Sequence, residues 1–211
     1  MHLSELASFF LVCLSAIFFV VDPLGVVPIF LVMTARDAPA KSQRMALRAC
    51  VVGSCLLVFF ALFGGVVFRF FGVTMGAFRV AGGILLLTTA LDMLKARQSE
   101  TRTSPEEERE GALKDDVAIV PLAVPLLAGP GAIATVMVLM GRAKSWTYAV
   151  PVIVSILITF VASYLMLRWA PLIHRVLKQT GVAILQRLMG LILAAIAVQF
   201  IAEGGRDLLK L

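Results

Sequence analysis

The chain has 211 residues, of which 60% are hydrophobic and 15% are charged, and its formal net charge is +6. An average soluble domain has roughly 25% charged residues, so this composition excludes an ordinary water-soluble globule and predicts helices of ~20 apolar residues that cross a lipid bilayer. The basic residues cluster between the apolar blocks, where they act as topology signals, so the sequence predicts no nucleic-acid partner.

The first apolar block, about Leu6 to Thr34, contains the stretch DPLGVVPIF at positions 22–30. Pro23 has no amide hydrogen and Gly25 loosens the backbone, so polar peptide groups are freed inside the block. Each such group costs several kcal/mol in hydrocarbon and is tolerated only where protein or a water-filled cavity surrounds it. The pattern therefore predicts a broken helix, with a second half that begins around Val26.

Asp22 lies near the middle of this block, where an acid costs ~2.5–3.5 kcal/mol on insertion scales. One interpretation is an N-cap, because Asp directly before Pro is typical of a helix start. The other is functional, with Asp22 as the partner of a substrate ammonium group or as the carrier of a coupling proton. The two are compatible, since the cap of a ligand-binding helix end would do both.

The second and third blocks run from about Met45 to Phe70 and from about Val73 to Leu94. Arg79 lies about six residues into the third block, where it could reach the headgroups or act as a gate or a clamp on freed carbonyls. The cysteines have no CxxC spacing and are interpreted as small core residues, so no metal site is predicted. These cysteines are Cys13, Cys50 and Cys55.

A polar stretch of mixed charge follows and is interpreted as a solvated linker. It divides the chain into a first three-helix unit at 1–95, a linker at 96–116 and a second three-helix unit at 117–211.

The fourth block, Val117 to Met140, contains PLAVPLLAGPGAIATVM at positions 121–137. Gly129, Pro130 and Gly131 predict a second break by the same argument, with a half-helix that starts around Ala132. The amides at the start of each half-helix carry partial positive charge, so two such starts that meet would form an anion site. Thr135 lies one turn after this break and is a candidate binding residue.

The fifth and sixth blocks are Trp146 to Leu167 and about Gly181 to Ala202. Arg187 lies about six residues into the sixth block, as Arg79 does in the third. Several polar side chains in the blocks could line a polar path, although Ser and Thr hydroxyls more often bond to their own helix. They are Thr88, Thr89, Ser155, Thr159, Ser163 and Gln199.

The two halves resemble each other. RVAGGILL begins at Arg79 and RLMGLILA begins at Arg187, an offset of 108, and Pro23 and Pro130 are 107 apart. Because each half has an odd number of spans, the second half must enter the membrane from the opposite side. The sequence therefore predicts an all-α membrane protein of six helices, arranged as two inverted three-helix repeats with the first helix of each broken near the midplane.

Lys and Arg residues orient these six spans. Thirteen of the nineteen fall on the side that holds the linker, which predicts that this side is cytoplasmic and that both termini are periplasmic.

At these residues the sequence resembles the MarC family of bacterial inner-membrane proteins. The resemblance rests on DPLGVVPIF, AFRVAGGILLL, PLAVPLLAGPGAI and RLMGLILAAIAVQFI, and it covers the chain outside the linker. It implies six spans, an inner-membrane location and a distant relation to amino-acid exporters of the LysE type, with some members that move glycine and alanine. The family motif often has Asn after its first glycine, where this chain has Val26, so the first break has one polar group fewer.

The favoured hypothesis is a secondary transporter of small polar solutes, most of all neutral amino acids, that works by alternating access in the bilayer without a cofactor, and is coupled to H⁺ or Na⁺ if to any ion. A multidrug or metabolite exporter, a non-transporting scaffold and a small intramembrane enzyme are alternatives, and a homo-oligomer is compatible with all of them. No catalytic motif appears, so an enzyme is not expected. The predicted substrate-binding residues are Asp22, Pro23, Leu24, Gly25, Val26, Gly129, Pro130, Gly131, Ala132 and Thr135, and the predicted gating or structural residues are Arg79 and Arg187.

Overall fold

The structure is a computed structural model that describes residues 3–95, 118–142 and 146–209. Within these ranges every regular element is a helix and none is a strand, so the predicted all-α class is confirmed. The predicted linker at 96–116 lies outside the described residues. The helices are α1 (Leu3–Val21), α2 (Pro23–Met33), α3 (Pro39–Phe71), α4 (Met75–Leu94), α5 (Ala118–Leu127), α6 (Pro130–Arg142), α7 (Trp146–Arg168) and α8 (Ala170–Leu209).

The described helices include five stretches long and apolar enough to cross a membrane, and a bent pair that brings the number to six if it counts as one span. The pair is α5 and α6, which are bent by 55° at their junction, whereas α1 and α2 continue as one stretch of 30 residues. The five stretches are Ser4–Met33, Pro39–Val66, Met75–Leu94, Thr147–Arg168 and Thr180–Leu209.

Two predicted boundaries differ from the structure because helices continue past the apolar blocks. α3 begins at Pro39 rather than near Met45, since Lys, Gln and Arg are good helix formers outside the hydrocarbon. The basic connection before the sixth span is also helical, from Ala170 onward, and Lys178 interrupts it with a left-handed φ of 51°. Both half-helices begin slightly earlier than predicted, at Pro23 and Pro130, because proline suits the first helical position.

α4 and α8 pack along each other in opposite directions, and glycines bring their backbones together. A Cβ added to Gly83 would lie 2.9 Å from the carbonyl oxygen of Ala197, and one added to Gly190 would lie 3.0 Å from that of Ala90. Residue numbers thus rise along α4 as they fall along α8. Small residues at such crossings let membrane helices approach closely.

α7 packs between α1 and α3. The rings of Phe9 and Tyr148 meet edge to face near the starts of α1 and α7, with centroids 5.5 Å apart, so these two helices run side by side in the same direction. On the other side, the Phe160 ring occupies the space beside Gly53 of α3, where an added Cβ would lie 2.6 Å from Cε1. The buried core lies between these helices and α2, α5 and α6.

Ion pairs lie at both ends of the bundle. One end holds Lys41, whose Nζ lies 2.7 Å from the Asp37 carboxylate, and Arg168 at the end of α7. At the other end, described basic side chains pair with acids of α8: Arg79 with Asp207 at 2.5 Å, and Arg142 with Glu203.

Candidate functional site

The first break is built around Asp22, which separates α1 from α2. Its backbone is left-handed, with φ of 50° and ψ of 62°, and its Oδ1 accepts a hydrogen bond of 3.0 Å from the Gly25 amide. Pro23 takes the first helical position, so Asp22 is the N-cap of α2, as the sequence predicts. The Asp22 side chain is 1% exposed, which places a carboxylate inside the bundle.

Gln186 of α8 reaches this break from the other half of the chain. A Cβ added to Gly25 would lie 2.1 Å from Asp22 Oδ2 and 2.6 Å from Gln186 Nε2. The carboxylate and the side-chain amide therefore converge on one glycine, and only glycine leaves them room.

Sequence reasoning missed Gln186 and selected its neighbour Arg187. The structure places Arg187 on the exposed face of α8, away from the break. A step of one residue turns a helix by about 100°, so neighbours in sequence face different surroundings. The available signal was a polar side chain one position from the selected arginine within an apolar span.

The second break lies between α5 and α6. α5 is irregular, with extended backbone at Val120 and Val124, each directly before a proline. Gly129 is the residue before α6, and its carbonyl accepts from the Ile133 amide at 3.0 Å. A Cβ at Gly129 would lie 2.6 Å from the Pro125 carbonyl oxygen, so the chain turns too tightly there for a side chain.

The start of α6 combines exposed and buried residues. Pro130 is exposed, Gly131 is half-buried and Ala132 is buried. Thr135 is fully buried, and its hydroxyl donates to the Gly131 carbonyl at 2.8 Å. This is the bond to its own helix that Thr commonly makes, and it fixes the hydroxyl beside the break.

The two breaks lie against each other. A Cβ at Gly131 would be 3.4 Å from Val20 Cγ2, at the end of α1, and 3.9 Å from Thr89 Oγ1 of α4. Of the remaining predicted residues, Val26 is fully buried and Leu24 is half-buried in the first turn of α2. The structure therefore brings the two groups of predicted binding residues together, with α4 and α8 beside them.

The predicted gating residue Arg79 lies away from the breaks. It pairs with Asp207 where α4 passes α8, and its Nε is buried without a hydrogen-bond partner in the described part of the chain. Arg142 pairs with Glu203 at the same end of the bundle, and its guanidinium lies 5.1 Å from the centroid of the Phe200 ring. These contacts join α4 and α6 to α8 at one end.

Among the described residues no group of three His, Cys, Asp or Glu side chains is arranged to hold a metal ion. The polar groups at the breaks are instead one carboxylate, one side-chain amide, hydroxyls and peptide groups. Such a set can bind a small polar or zwitterionic molecule through hydrogen bonds and charge.

Comparison with known proteins identifies the chain's relatives. The model of the MarC family integral membrane protein matches residues 7–209. A UPF0056 membrane protein of Methanocaldococcus jannaschii is 39% identical over 201 residues, which are 95% of this chain and 98% of that protein. The UPF0056 membrane protein YhcE of Escherichia coli is 35% identical over 188 residues, 89% of this chain and 87% of its own. No solved structure matches.

Proposed function

Because the chain belongs to the MarC family of integral membrane proteins, we propose that it is a secondary transporter that moves small polar solutes, neutral amino acids above all, by alternating access. It acts in the bacterial inner membrane with both termini on the periplasmic side, needs no cofactor and catalyses no reaction. The proposal rests on one observation: the start of α6 packs against the end of α1, two residues before the break that begins α2, and only the start of α2 is capped by an acid.

The two starts differ in charge. α2 begins after Asp22, whose carboxylate caps it, whereas α6 begins after Gly129, which has no side chain to accept the amides of Gly131 and Ala132. The first amides of a helix have no partner within it and carry partial positive charge. A negative pole and a positive pole therefore lie at neighbouring breaks, an arrangement that complements a zwitterion.

An amino acid would bind with its carboxylate at the start of α6 and its ammonium group near the Asp22 carboxylate. The Gln186 side-chain amide, whose Nε2 lies at Gly25, provides a further polar group beside Asp22. Gly25 has no room for a side chain and Gly131 has room for little more than a methyl group, so these crowded breaks favour a substrate with a small side chain, such as glycine or alanine.

Inverted repeats would give this site alternating access, and a single offset of 107 residues supports them. Pro23 and Pro130 have this offset, and so do Gly83 and Gly190. Gly83 meets the Ala197 carbonyl as Gly190 meets the Ala90 carbonyl, and Ala90 and Ala197 are again 107 apart. The offset of 108 between Arg79 and Arg187 would make Gly82 the equivalent of Gly190. The contacts favour Gly83 instead, at an offset of 107.

The same relation recurs between α3 and α7. Gly53 and Phe160 are 107 residues apart and contact each other, as expected for equivalent positions on a two-fold axis. α4 and α8 are equivalent in this scheme and run in opposite directions, as inversion requires. Asp22 is then equivalent to Gly129, so the charge difference between the two caps is a departure from symmetry at the substrate site.

Transport is tested with purified protein in liposomes by measuring uptake of radiolabelled glycine and alanine. The informative pair of variants is Gly131→Ala and Gly131→Leu. A Cβ at Gly131 would lie 3.4 Å from its nearest neighbour, so the alanine fits, whereas a leucine fills the space between the breaks. We expect the alanine variant to transport and the leucine variant to lose uptake at unchanged folded yield. Equal uptake by both variants would exclude the breaks as the binding site.

A further inference from the structure

Two buried hydroxyls of α7 lack hydrogen-bond partners within the described residues. Ser155 and Thr159 are both fully buried, and Ser155 Oγ and Thr159 Oγ1 make no hydrogen bond there. Ser163, one turn further on and equally buried, donates to the Thr159 carbonyl at 2.8 Å. Since a buried polar group without a partner is costly, a ligand that bonds to the first two hydroxyls would stabilise the protein.

The Thr159 hydroxyl lies at the depth of the first break. α1 and α7 run in the same direction, with Phe9 beside Tyr148. Eleven residues further along each helix are Val20 and Thr159, which a common rise of about 1.5 Å per residue keeps level. Ser155 lies one turn back on the same face of α7.

The end of α1 offers freed carbonyl groups at this depth. The Phe19 carbonyl has no helical donor, because the residue four positions later is Pro23. The Val21 carbonyl loses its donor as well, since the Gly25 amide bonds to Asp22 instead. The carboxyl end of a helix carries partial negative charge, so these carbonyls favour a cation.

We propose that Ser155 and Thr159, with the freed carbonyls at the end of α1, form a binding site for Na⁺, the coupling ion of the proposed transporter. The inference rests on the proposed function only where it calls Na⁺ the coupling ion, since Na⁺ can occupy the site without transport. Hydroxyl and carbonyl oxygens are hard neutral ligands suited to a small alkali cation. Neither hydroxyl titrates near neutral pH, so this pair does not carry a proton.

The position of the Na⁺ site links cation binding to the proposed substrate site. Val20, level with Thr159, lies 3.4 Å from the Cβ position of Gly131 in the second break. A cation bound at the end of α1 would therefore hold the first break in the conformation that receives the substrate. Sodium and substrate would then bind with positive cooperativity, each raising the affinity of the other by the same factor.

The test uses the double variant Ser155→Ala/Thr159→Val, with Ser163→Ala as the matched control from the same buried stripe. Thermal unfolding of purified protein is followed in NaCl, KCl or choline chloride at constant ionic strength. We expect NaCl alone to raise the unfolding temperature of the parent protein and of Ser163→Ala. Loss of two ligands should weaken Na⁺ binding about ten- to a hundredfold in the double variant. Equal unfolding temperatures of the parent protein in the three salts would overturn the proposal, as would an unchanged Na⁺ response of the double variant.

Alanine uptake in liposomes separates this inference from the proposed function. An inward Na⁺ gradient should accelerate uptake by the parent protein and by Ser163→Ala, but not by the double variant, which should still equilibrate alanine down its own gradient. Uptake that follows a proton gradient and ignores Na⁺ would refute Na⁺ as the coupling ion and leave the transporter intact. Stabilisation by Na⁺ without any uptake would refute the transporter and leave the sodium site.

Discussion

Gly25→Ala is the most direct test of the candidate site, because the structure leaves no room for a side chain at Gly25. Its added Cβ would lie 2.1 Å from Asp22 Oδ2 and 2.6 Å from Gln186 Nε2, against about 3.5 Å for an ordinary contact. In Gly25→Ala the carboxylate must therefore retreat by roughly 1.4 Å. The Gln186 side chain is long enough to move aside, but Asp22 is held at the cap by the bond from residue 25 itself.

The cost to folding should be small. Loss of an N-cap destabilises a protein by about 0.5–2 kcal/mol, whereas alanine in place of a helical glycine stabilises it by roughly 0.5–1 kcal/mol. The two effects nearly offset each other, so the unfolding temperature should change by only a few degrees. Transport should fall at least about tenfold, because a charged hydrogen bond to the substrate ammonium is lost or lengthened.

The assay is alanine uptake in liposomes, read beside thermal unfolding of the same preparation. Gly205→Ala is the matched control, since it is also a helical glycine and, apart from its own turn of helix, no described atom lies within 4 Å of its Cβ position. It should leave uptake unchanged and the unfolding temperature equal or slightly higher. Normal uptake by a folded Gly25→Ala protein would show that the crowded carboxylate is not part of the site.

Three further predictions follow from the contacts. Asp22→Asn keeps an acceptor for the cap but removes the charge, so the unfolding temperature should stay the same while uptake falls about tenfold or more. Asp22→Ala should lose the same uptake and also about 1 kcal/mol of stability. Normal uptake by the Asn variant would contradict the zwitterion site. In Gly83→Ala and Gly190→Ala the added Cβ meets backbone atoms at about 3 Å, so each should lower the free energy of unfolding by about 1–3 kcal/mol. The two losses should be similar if the repeats are equivalent. An unchanged stability of either variant would argue against this packing. Arg142→Gln and Glu203→Gln should each cost less than about 1 kcal/mol, because the pair is partly exposed, and the double variant should cost no more than one single variant. Additive losses on thermal unfolding would mean that the two side chains act independently.

Much of the site was predictable because proline and glycine act locally. Pro23 and Pro130 interrupt helical bonding wherever they lie, so the sequence locates both breaks to within a few residues. Asp22 as a cap follows from the same local chemistry. The irregular backbone of α5 was less evident, since Val120 and Val124 are extended only because each precedes a proline within an apolar block.

By itself, the sequence determined that the protein lies in a membrane, where its helices run and where they break. These features depend on the length of apolar segments, on prolines that lack an amide hydrogen and on capping side chains, all of which act on neighbours along the chain. The tertiary structure decided which groups face the breaks. Gln186 rather than Arg187 meets Gly25, and Gly83 rather than Gly82 lies against Ala197. These choices depend on how each helix is rotated about its axis, and packing against distant residues sets that rotation. A one-residue shift barely changes the pattern of an apolar span, yet it turns a different side chain toward the site.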